Sequence, residues 1–187
     1  MPLYVIYLNM EWNESEIISA CKKQDKQAQM ALFRKFHERF LGICIRYLYN
    51  KQIAEEVLMD SFMRIFQKID QYQAGSFEGW MKTIVIHKSI DYYRKHKKDP
   101  IFSDLEKESY KYPEKSTGHH LAAEELLQML SRLPHGYRMV FNLYAIEGYK
   151  HQEIADKLNI SESTSKSQYH KARMRLQEEL LKGGYDG

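Results

Sequence analysis

The chain has 187 residues, 43% of them apolar and 28% charged, and its 28 Lys and Arg against 25 Asp and Glu leave a formal net charge of +3. This composition excludes a disordered or fibrous chain. Cys21 and Cys44 lack the spacing of a zinc site or a disulfide framework, so we expect reduced, buried thiols and no metal or cofactor. No apolar run approaches the roughly 20 residues of a membrane span, and residues 3–8 lack the charged start of a signal peptide, which predicts a cytoplasmic protein rather than a membrane protein.

Charge is unevenly distributed along the sequence. Residues 1–98 carry 16 basic and 11 acidic side chains, residues 99–120 carry 3 and 5, and residues 121–187 carry 9 and 9. The middle stretch is polar, contains two of the four prolines and has no sustained apolar period. These features predict a flexible linker at 99–120 between domains at 10–98 and 121–183. A long surface loop inside one domain is the alternative.

Four helices are predicted before the linker, because apolar side chains recur at three- and four-residue steps. They are Glu16–Lys23, Ala28–Leu48, Ile53–Lys68 and Phe77 to about Lys97. Residues 73–75 break the pattern, and Ser76 is the expected N-cap of the fourth helix.

Four further helices are predicted after the linker. They are a stripe through Leu126, Leu130 and Leu133, a helix through Tyr137, Val140, Phe141 and Tyr144, and helices at His151–Leu158 and Glu162–Leu181. Three residues separate the last two, which is the spacing of a DNA-binding helix-turn-helix. Asn159 suits a left-handed turn position, and Ser161 can cap the second helix. No strand pattern occurs, so the predicted fold is all-α, in two small helical domains.

The last helix has the side chains of a major-groove reader. Between Glu162 and Glu178 it carries four basic residues and no acid, together with short hydrogen-bonding side chains that include Ser165 and Gln168. Such a helix can place its first residues on base edges and its Lys and Arg on phosphates. An ordinary helical hairpin with a solvated polar face is the alternative, although a solvated face usually mixes both signs of charge.

The fourth helix becomes basic and aromatic towards its end. From Lys82 to Lys98 it has six basic residues and one acid, Asp91, with Tyr92 and Tyr93 interleaved. Aromatic faces among cations suit unstacked single-stranded bases, where stacking contributes about 1–3 kcal/mol per base. The alternative is that the aromatic side chains belong to the core and the lysines only solubilise the helix.

The third helix has a different outer face. It mixes acidic groups with methionines, at Glu55, Glu56, Met59, Asp60 and Met63. Adaptable thioethers beside charges favour a protein-docking surface, and a simply solvated face is the alternative.

Together these segments resemble bacterial RNA polymerase sigma factors of the sigma-70 family, most closely the short extracytoplasmic-function (ECF) group. The similar segments are Ile53–Phe66 for polymerase binding, Gly75–Ile84 with Asp91–Arg94 for −10 reading and melting, Leu130–Tyr149 for the start of the fourth region, and Glu153–Arg173 for its helix-turn-helix. The resemblance covers about residues 15–182, with both domains in order. It implies a transcription initiation factor that directs core RNA polymerase to specific promoters and is not itself an enzyme.

The resemblance also implies roles for individual residues. The residues implied to bind core polymerase are Asp60, Phe62, Arg64 and Gln67. The implied −10 and melting residues are Ala74, Gly75, Ser76, Phe77, Trp80, His87, Lys88, Tyr92 and Arg94. The implied −35 residues are Thr164, Lys166, Ser167, Gln168, His170, Lys171 and Arg173, with Lys150 and His151 on the DNA backbone. The implied partners are promoter DNA, the β′ clamp helices and β flap of core polymerase, and an anti-sigma factor, which in this family is often membrane-bound.

Three features depart from the family's usual pattern. His87 stands where Asn is common, and Ser163 and Ser165 stand where Gly and Val are frequent, which bears on base preference. Residues 1–9 have no counterpart, and their apolar, charge-poor composition leads us to expect that translation starts at Met10.

Two other classes of function are considered. A helix-turn-helix regulator that binds duplex DNA without acting as a sigma factor is the alternative to the initiation factor. An enzyme is not expected, because the sequence has no HExxH, no Gly-rich phosphate loop and no GxSxG motif.

Overall fold

The structure is a computed structural model, and it describes residues 12–97 and 121–182, with side chains at 126–181 in the second range. Within these two ranges every regular element is helical and no strand occurs, which confirms the all-α prediction. The predicted start at Met10 and the whole of the predicted linker lie outside the described residues.

Eight α-helices make up the described part of the chain. In the first range they are α1 (Glu14–Lys22), α2 (Lys26–Leu48), α3 (Lys51–Lys68) and α4 (Phe77–His96), with a 3₁₀ turn at Ile69–Gln71. In the second range they are α5 (Leu121–Ser131), α6 (His135–Phe141), α7 (His151–Leu158) and α8 (Glu162–Lys182). The predicted helices are all present, with starts that differ by at most two residues in the first range.

Capping side chains set the starts of these helices. Asp25 accepts hydrogen bonds from the backbone of Gln27 and Ala28 at 2.8 and 3.0 Å, and Asn50 accepts one from Ile53 at 3.0 Å. Both helices therefore begin two residues before the first apolar position that the periodicity marks. Ser76 caps α4 as predicted, accepting from the backbone nitrogen of Gly79 at 3.0 Å.

The first domain is built around α2, which packs against α1, α3 and α4. Its largest fully buried side chains include Phe40, Tyr47, Phe62 and Phe77. Each buried apolar side chain of this size contributes about 1.5–3 kcal/mol relative to exposure, so this core can hold the helices rigidly. The packing leaves the outer face of α3 and one flank of α4 available to partners.

The second domain packs α6 and α7 against the long helix α8. Leu130 and Leu133 are buried against Ala172, as the apolar stripe predicted. Leu126 is 40% exposed, so the prediction that it belongs to the stripe is wrong. Its neighbour Leu127 packs on the cluster instead.

The helix predicted through Tyr137 and Tyr144 is not regular throughout. After α6 the backbone widens into a π-helical turn at Asn142–Ile146, in which Glu147 donates its N–H to the carbonyl of Asn142 at 3.0 Å. Gly148 then takes a positive φ of 78°, which ends the helix as predicted. The π turn brings Asn142 and Glu147 into contact with the first domain.

The two domains pack against each other directly. Tyr49, between α2 and α3, packs into the cluster of Leu130 and Leu133, and Met139 and Leu143 join the main core of the first domain. The apolar core is therefore shared across the predicted domain boundary.

Candidate nucleic-acid and polymerase interface

The helix-turn-helix has the geometry that its sequence predicted. Asn159 is left-handed, with φ 53° and ψ 58°, and the next residue, Ile160, donates its N–H to the carbonyl of Ala155 at 3.1 Å. Ser161 accepts from the backbone nitrogen of Thr164 at 3.0 Å and so caps α8. Ala155, a small residue of α7, is buried.

The outer face of α8 is polar and basic. The exposed side chains on it are Lys166, Ser167, His170, Lys171 and Arg173, and those of Thr164 and Gln168 are partly buried. Lys166 pairs with Glu162 at 2.7 Å, and this hydrogen bond and charge lower the pKa of the Glu162 carboxyl. Lys171 and Arg173 offer positive charge to solvent, as a groove-binding helix needs, whereas the hydroxyl of Ser167 donates to the carbonyl of Thr164 at 3.0 Å.

Ser165 faces the interior rather than a groove. It is fully buried, and its hydroxyl lies 2.9 Å from Nδ1 of His151. The expectation that Ser165 offers a hydrogen bond to DNA is therefore wrong. Gln168 is also partly constrained, because its amide lies against Gly136, where an added Cβ would come within 3.2 Å of it.

His151 is held by its neighbours at the start of α7. Its ring stacks on that of Tyr144, with centroids 4.3 Å apart and planes 12° apart. Burial and then the charge of Lys166 lower the pKa of His151, which favours the neutral ring. His151 could offer a phosphate a hydrogen bond. Lys150, beside it, is exposed.

The loop before α4 is supported by three aromatic rings. Trp80 stacks on Phe77 with centroids 5.7 Å apart, and Tyr72 lies 5.0 Å from Phe77 and 5.7 Å from Trp80. Residues 74–76 are exposed, and the hydroxyl of Tyr72 donates to the carbonyl of Gly75. Phe77 is only 1% exposed, so its predicted contact with DNA is corrected to a supporting role beneath Trp80.

Further along α4, the predicted −10 side chains have partners within the protein. Lys88 pairs with Asp60 at 3.7 Å, and Arg94 pairs with Asp91 at 3.8 Å. Tyr92 is partly buried and stacks on His96, with centroids 4.4 Å apart. Since Arg94 and Asp91 are exposed, their ion pair is weak and can exchange for a phosphate.

His87 contacts the second domain. Its Nε2 accepts a hydrogen bond from Nζ of Lys157 on α7 at 2.8 Å. Burial and then the charge of Lys157 lower the pKa of His87, which favours the neutral ring.

The outer face of α3 combines thioethers and charges, as the sequence indicated. Met59 and Met63 are 53% and 59% exposed, and Asp60, Arg64 and Gln67 lie beside them in solvent. Nη1 of Arg64 donates to Oε1 of Gln67 at 3.4 Å.

Phe62 is 2% exposed and makes an edge contact with Phe33, with centroids 4.8 Å apart. It therefore supports the α3 face from beneath. The predicted direct contact of Phe62 with polymerase is corrected, because this side chain is buried. Phe62 belongs to the apolar repeat of α3, and that position in the repeat indicates a buried side chain.

Sequence reasoning missed a cluster of charges between the domains. Glu147 forms ion pairs with Arg46 and with Lys82. Glu147 and Arg46 lie 101 positions apart in the sequence. No local motif could have brought these residues together.

The described residues include no helix long and apolar enough to cross a membrane. Within the same parts of the chain, no group of three or more His, Cys, Asp or Glu side chains is arranged to hold a metal ion.

Comparison with known families gives two matches that follow the chain's own order. The family model for sigma-70 region 2 matches residues 32–99, and that for sigma-70 region 4 matches residues 123–176. The second match contains the helix-turn-helix, and the first contains all of α3 and α4.

Two curated relatives match over most of their length. The ECF RNA polymerase sigma factor SigM of Bacillus subtilis is 30% identical over 148 residues, which cover 76% of this chain and 91% of that protein. SigW of the same organism is 26% identical over 185 residues, covering 91% of this chain and 98% of SigW. Among solved structures, the sigma factor RpoE of Bartonella quintana in complex with the anti-sigma factor NepR has a TM-score of 0.55 at 23% identity, over 82% of this chain and 96% of that chain.

Proposed function

The chain belongs to the ECF group of sigma-70 RNA polymerase sigma factors and directs transcription initiation, and we propose that it does so in the cytoplasm by binding core polymerase through α3 and promoter DNA through α4 and α8. Family membership and the two region matches support this role. Sigma factors are initiation factors rather than catalysts. A DNA-binding regulator that is not a sigma factor is not favoured, because the relatives match across both domains.

For the −35 element we propose that α8 enters the major groove. The exposed Lys166, Ser167, His170, Lys171 and Arg173, with Thr164 and Gln168 at the edge of the face, carry base and phosphate contacts. Lys150 and His151 contact the DNA backbone from the start of α7. The absence of any acid between Glu162 and Glu178 supports the assignment, since the field along this helix then attracts phosphates.

For the −10 element we propose that the exposed loop at Ala74, Gly75 and Ser76 receives an unstacked base. Trp80, held on the buried Phe77, then provides an aromatic surface for the non-template strand. His87, Lys88, Tyr92 and Arg94 continue this surface along α4. Stacking with nearby cations suits a single strand, because every base has an aromatic face.

For core polymerase we propose that Asp60, Arg64 and Gln67 contact the β′ clamp helices, with Met59 and Met63 between them. The exposure of two methionines beside charged groups supports a docking surface that adapts to its partner. Phe62 holds this face from beneath. We further propose that the second domain contacts the β flap.

An anti-sigma factor is a further proposed partner. The similar RpoE chain was solved with its anti-sigma factor NepR bound, which supports such a partner here by relationship. Co-purification of a tagged chain from its native cell, followed by mass spectrometry, identifies the partner directly.

The observation that carries the proposed division of roles is the pair of distinct surfaces, basic and polar on α8 and aromatic and basic on α4. Run-off transcription with sigma-free core polymerase tests it. We expect promoter-specific transcripts from the wild type, loss with Lys171→Ala, and no loss with Lys35→Ala, an exposed lysine on α2 that is outside the proposed surfaces. Duplex binding without any promoter-specific transcript would instead identify a regulator.

A further inference from the structure

One carboxylate of the second domain is buried between two cations of the first. The Glu147 side chain is 4% exposed, and it pairs with Arg46 near the end of α2 and, at 2.7 Å, with Nζ of Lys82 on α4. Because a buried charge is stable only when it is paired, this carboxylate is held in place only while the two domains remain in contact.

Hydrogen bonds and an aromatic anchor surround this ion pair. Asn142 donates its side-chain amide to the carbonyl of Arg46 at 3.0 Å. The Tyr49 hydroxyl donates to the carbonyl of Leu127 at 2.8 Å, and the Arg138 guanidinium lies 4.2 Å from the centre of the Tyr49 ring. The contact is therefore specific, with donors and acceptors matched across the two domains.

The same contact has the character of a reversible interface. Three buried polar atoms of the residues that make the interdomain contacts have no hydrogen-bond partner among the described residues, and they are Arg46 Nε, Arg138 Nε and Asn142 Oδ1. A buried polar group without a partner costs free energy that it recovers on exposure, so this arrangement favours opening more than a fully bonded core would.

The contact engages one exposed residue of the surface proposed to bind the −10 strand, His87. Lys157 on α7 bonds His87, and Glu147 engages Lys82, so the middle of α4 faces the second domain. A cavity of about 410 Å³ remains between the end of α4 and the helix-turn-helix, lined by Arg94, Lys95 and Asn159 among others. The basic face of α8 remains exposed.

Reading both promoter elements at once requires the domains to separate. The −10 and −35 elements, about 25 base pairs apart as their names state, lie about 85 Å apart along the duplex at about 3.4 Å per base pair. Here α4 and α7 are instead within hydrogen-bonding distance. The 23 residues between Lys97 and Leu121 could span at most about 80 Å, which, with the width of the domains, is enough for the open arrangement.

We propose that this contact is an autoinhibitory closed state in which Glu147, held by Arg46 and Lys82, keeps the second domain over α4. In this state α8 can still meet duplex DNA, but Nε2 of His87 is engaged by Lys157, and α4 and α8 cannot contact the −10 and −35 elements together until the domains part. The inhibition rests on the proposed role of α4, whereas the closure itself does not. Apparent affinity for the strand is then reduced in proportion to the open fraction of molecules.

A distance measurement on the full chain tests the closure. Fluorophores on Lys35→Cys and Gln177→Cys, both at exposed positions, report the separation of the two domains by energy transfer. The native thiols do not compete for the labels, because burial raises the pKa of Cys21 to about 11 and that of Cys44 to about 12. We expect high transfer in the wild type and a clear fall in Glu147→Gln.

The matched control is Glu178→Gln, which makes the same charge change at an exposed position of α8. We expect it to keep the wild-type transfer. Lys82→Gln weakens the same ion pair from the first domain, and we expect its energy transfer to fall as in Glu147→Gln. A fall in both variants cannot be explained by misfolding of the second domain alone. Unchanged transfer in both Glu147→Gln and Lys82→Gln would overturn the proposal.

Binding to a fluorescent single-stranded oligonucleotide of mixed sequence tests the inhibition. Relative to Glu178→Gln, we expect Glu147→Gln to bind about tenfold more tightly, as removal of a dominant closed state allows, with duplex affinity equal in the two variants. Equal single-strand affinity despite a fall in transfer would overturn the inhibition. Absence of single-strand binding in every variant, with the fall in transfer intact, would overturn the −10 role of α4 and the inhibition but leave the closure standing.

Discussion

The hydroxyl of Ser165 lies 2.9 Å from Nδ1 of His151, so a serine of the DNA-reading helix bonds the first residue of the helix that precedes it. We expect Ser165→Ala to lower the free energy of unfolding by about 1 kcal/mol, since one buried hydrogen bond is lost. Affinity for duplex DNA at fixed salt should hardly change, because the side chain is buried. Thermal unfolding and duplex titration measure the two effects.

Ser167→Ala is the matched comparison for Ser165→Ala, because Ser167 is exposed on the same helix. We expect it to weaken binding to the cognate −35 duplex a few-fold and to leave the unfolding free energy within about 0.5 kcal/mol of the wild type. The opposite result, with Ser165 affecting binding and Ser167 affecting stability, would reverse the orientation of α8.

His135 should make stability depend on pH. Burial and then the charge of Arg138, whose guanidinium lies 2.6 Å from the ring, lower the pKa of His135 to about 3. Between about pH 6.5 and 3 the unfolded chain therefore binds a proton that the folded chain does not, and stability falls as the pH falls, by at most about 1.4 kcal/mol per pH unit. Above that window this contribution is constant.

Urea titrations at several pH values measure this slope. We expect His135→Gln to reduce it, and His170→Gln, at an exposed position of α8, to leave it as in the wild type. Equal slopes in all three proteins would show that His135 takes up its proton alike in the folded and unfolded chains.

Phe62 and Arg64 should separate stability from polymerase binding. Phe62→Ala is expected to lower the unfolding free energy by about 3–5 kcal/mol, because it leaves a cavity in the core. Arg64→Ala should change stability by no more than about 0.5 kcal/mol, because the side chain is exposed, yet weaken binding to core polymerase. Chemical denaturation and a competition assay with labelled sigma factor measure these effects, and loss of stability in Arg64→Ala would contradict the assignment.

Salt should weaken promoter binding more than the net charge of +3 suggests. Each phosphate contact changes the slope of log affinity against log salt by about −0.9, so Lys171→Ala is expected to make the slope shallower by about one. Duplex binding at several salt concentrations gives the slope. Lys35→Ala serves as the control, and equal slopes in the two variants would remove Lys171 from the phosphate contacts.

Apolar periodicity predicted the helices well, because buried side chains repeat at the spacing of the helix itself. It placed α7 at His151–Leu158 correctly and missed the starts of α2 and α3 by two residues, since the caps Asp25 and Asn50 precede the first buried position. The apolar periodicity gave no indication of the π turn after α6.

Site residues were harder to predict than helices, because a motif identifies a segment but not the direction of each side chain. Phe77 and Ser165 both lie in segments that resemble DNA-binding ones, yet both are buried. The pairing of Arg46 with Glu147 depends on how two domains meet, and sequence spacing holds no information about that.

The π turn at Asn142–Ile146 has a consequence for how this regulation could vary among relatives. A π turn amounts to one residue added to a helix, so removing it would rotate everything that follows by about 100° about the helix axis. Glu147 would then point away from Arg46, while the core contacts before the turn stayed in place. A single codon gained or lost could thus convert a self-restrained initiation factor into one that depends wholly on an outside inhibitor.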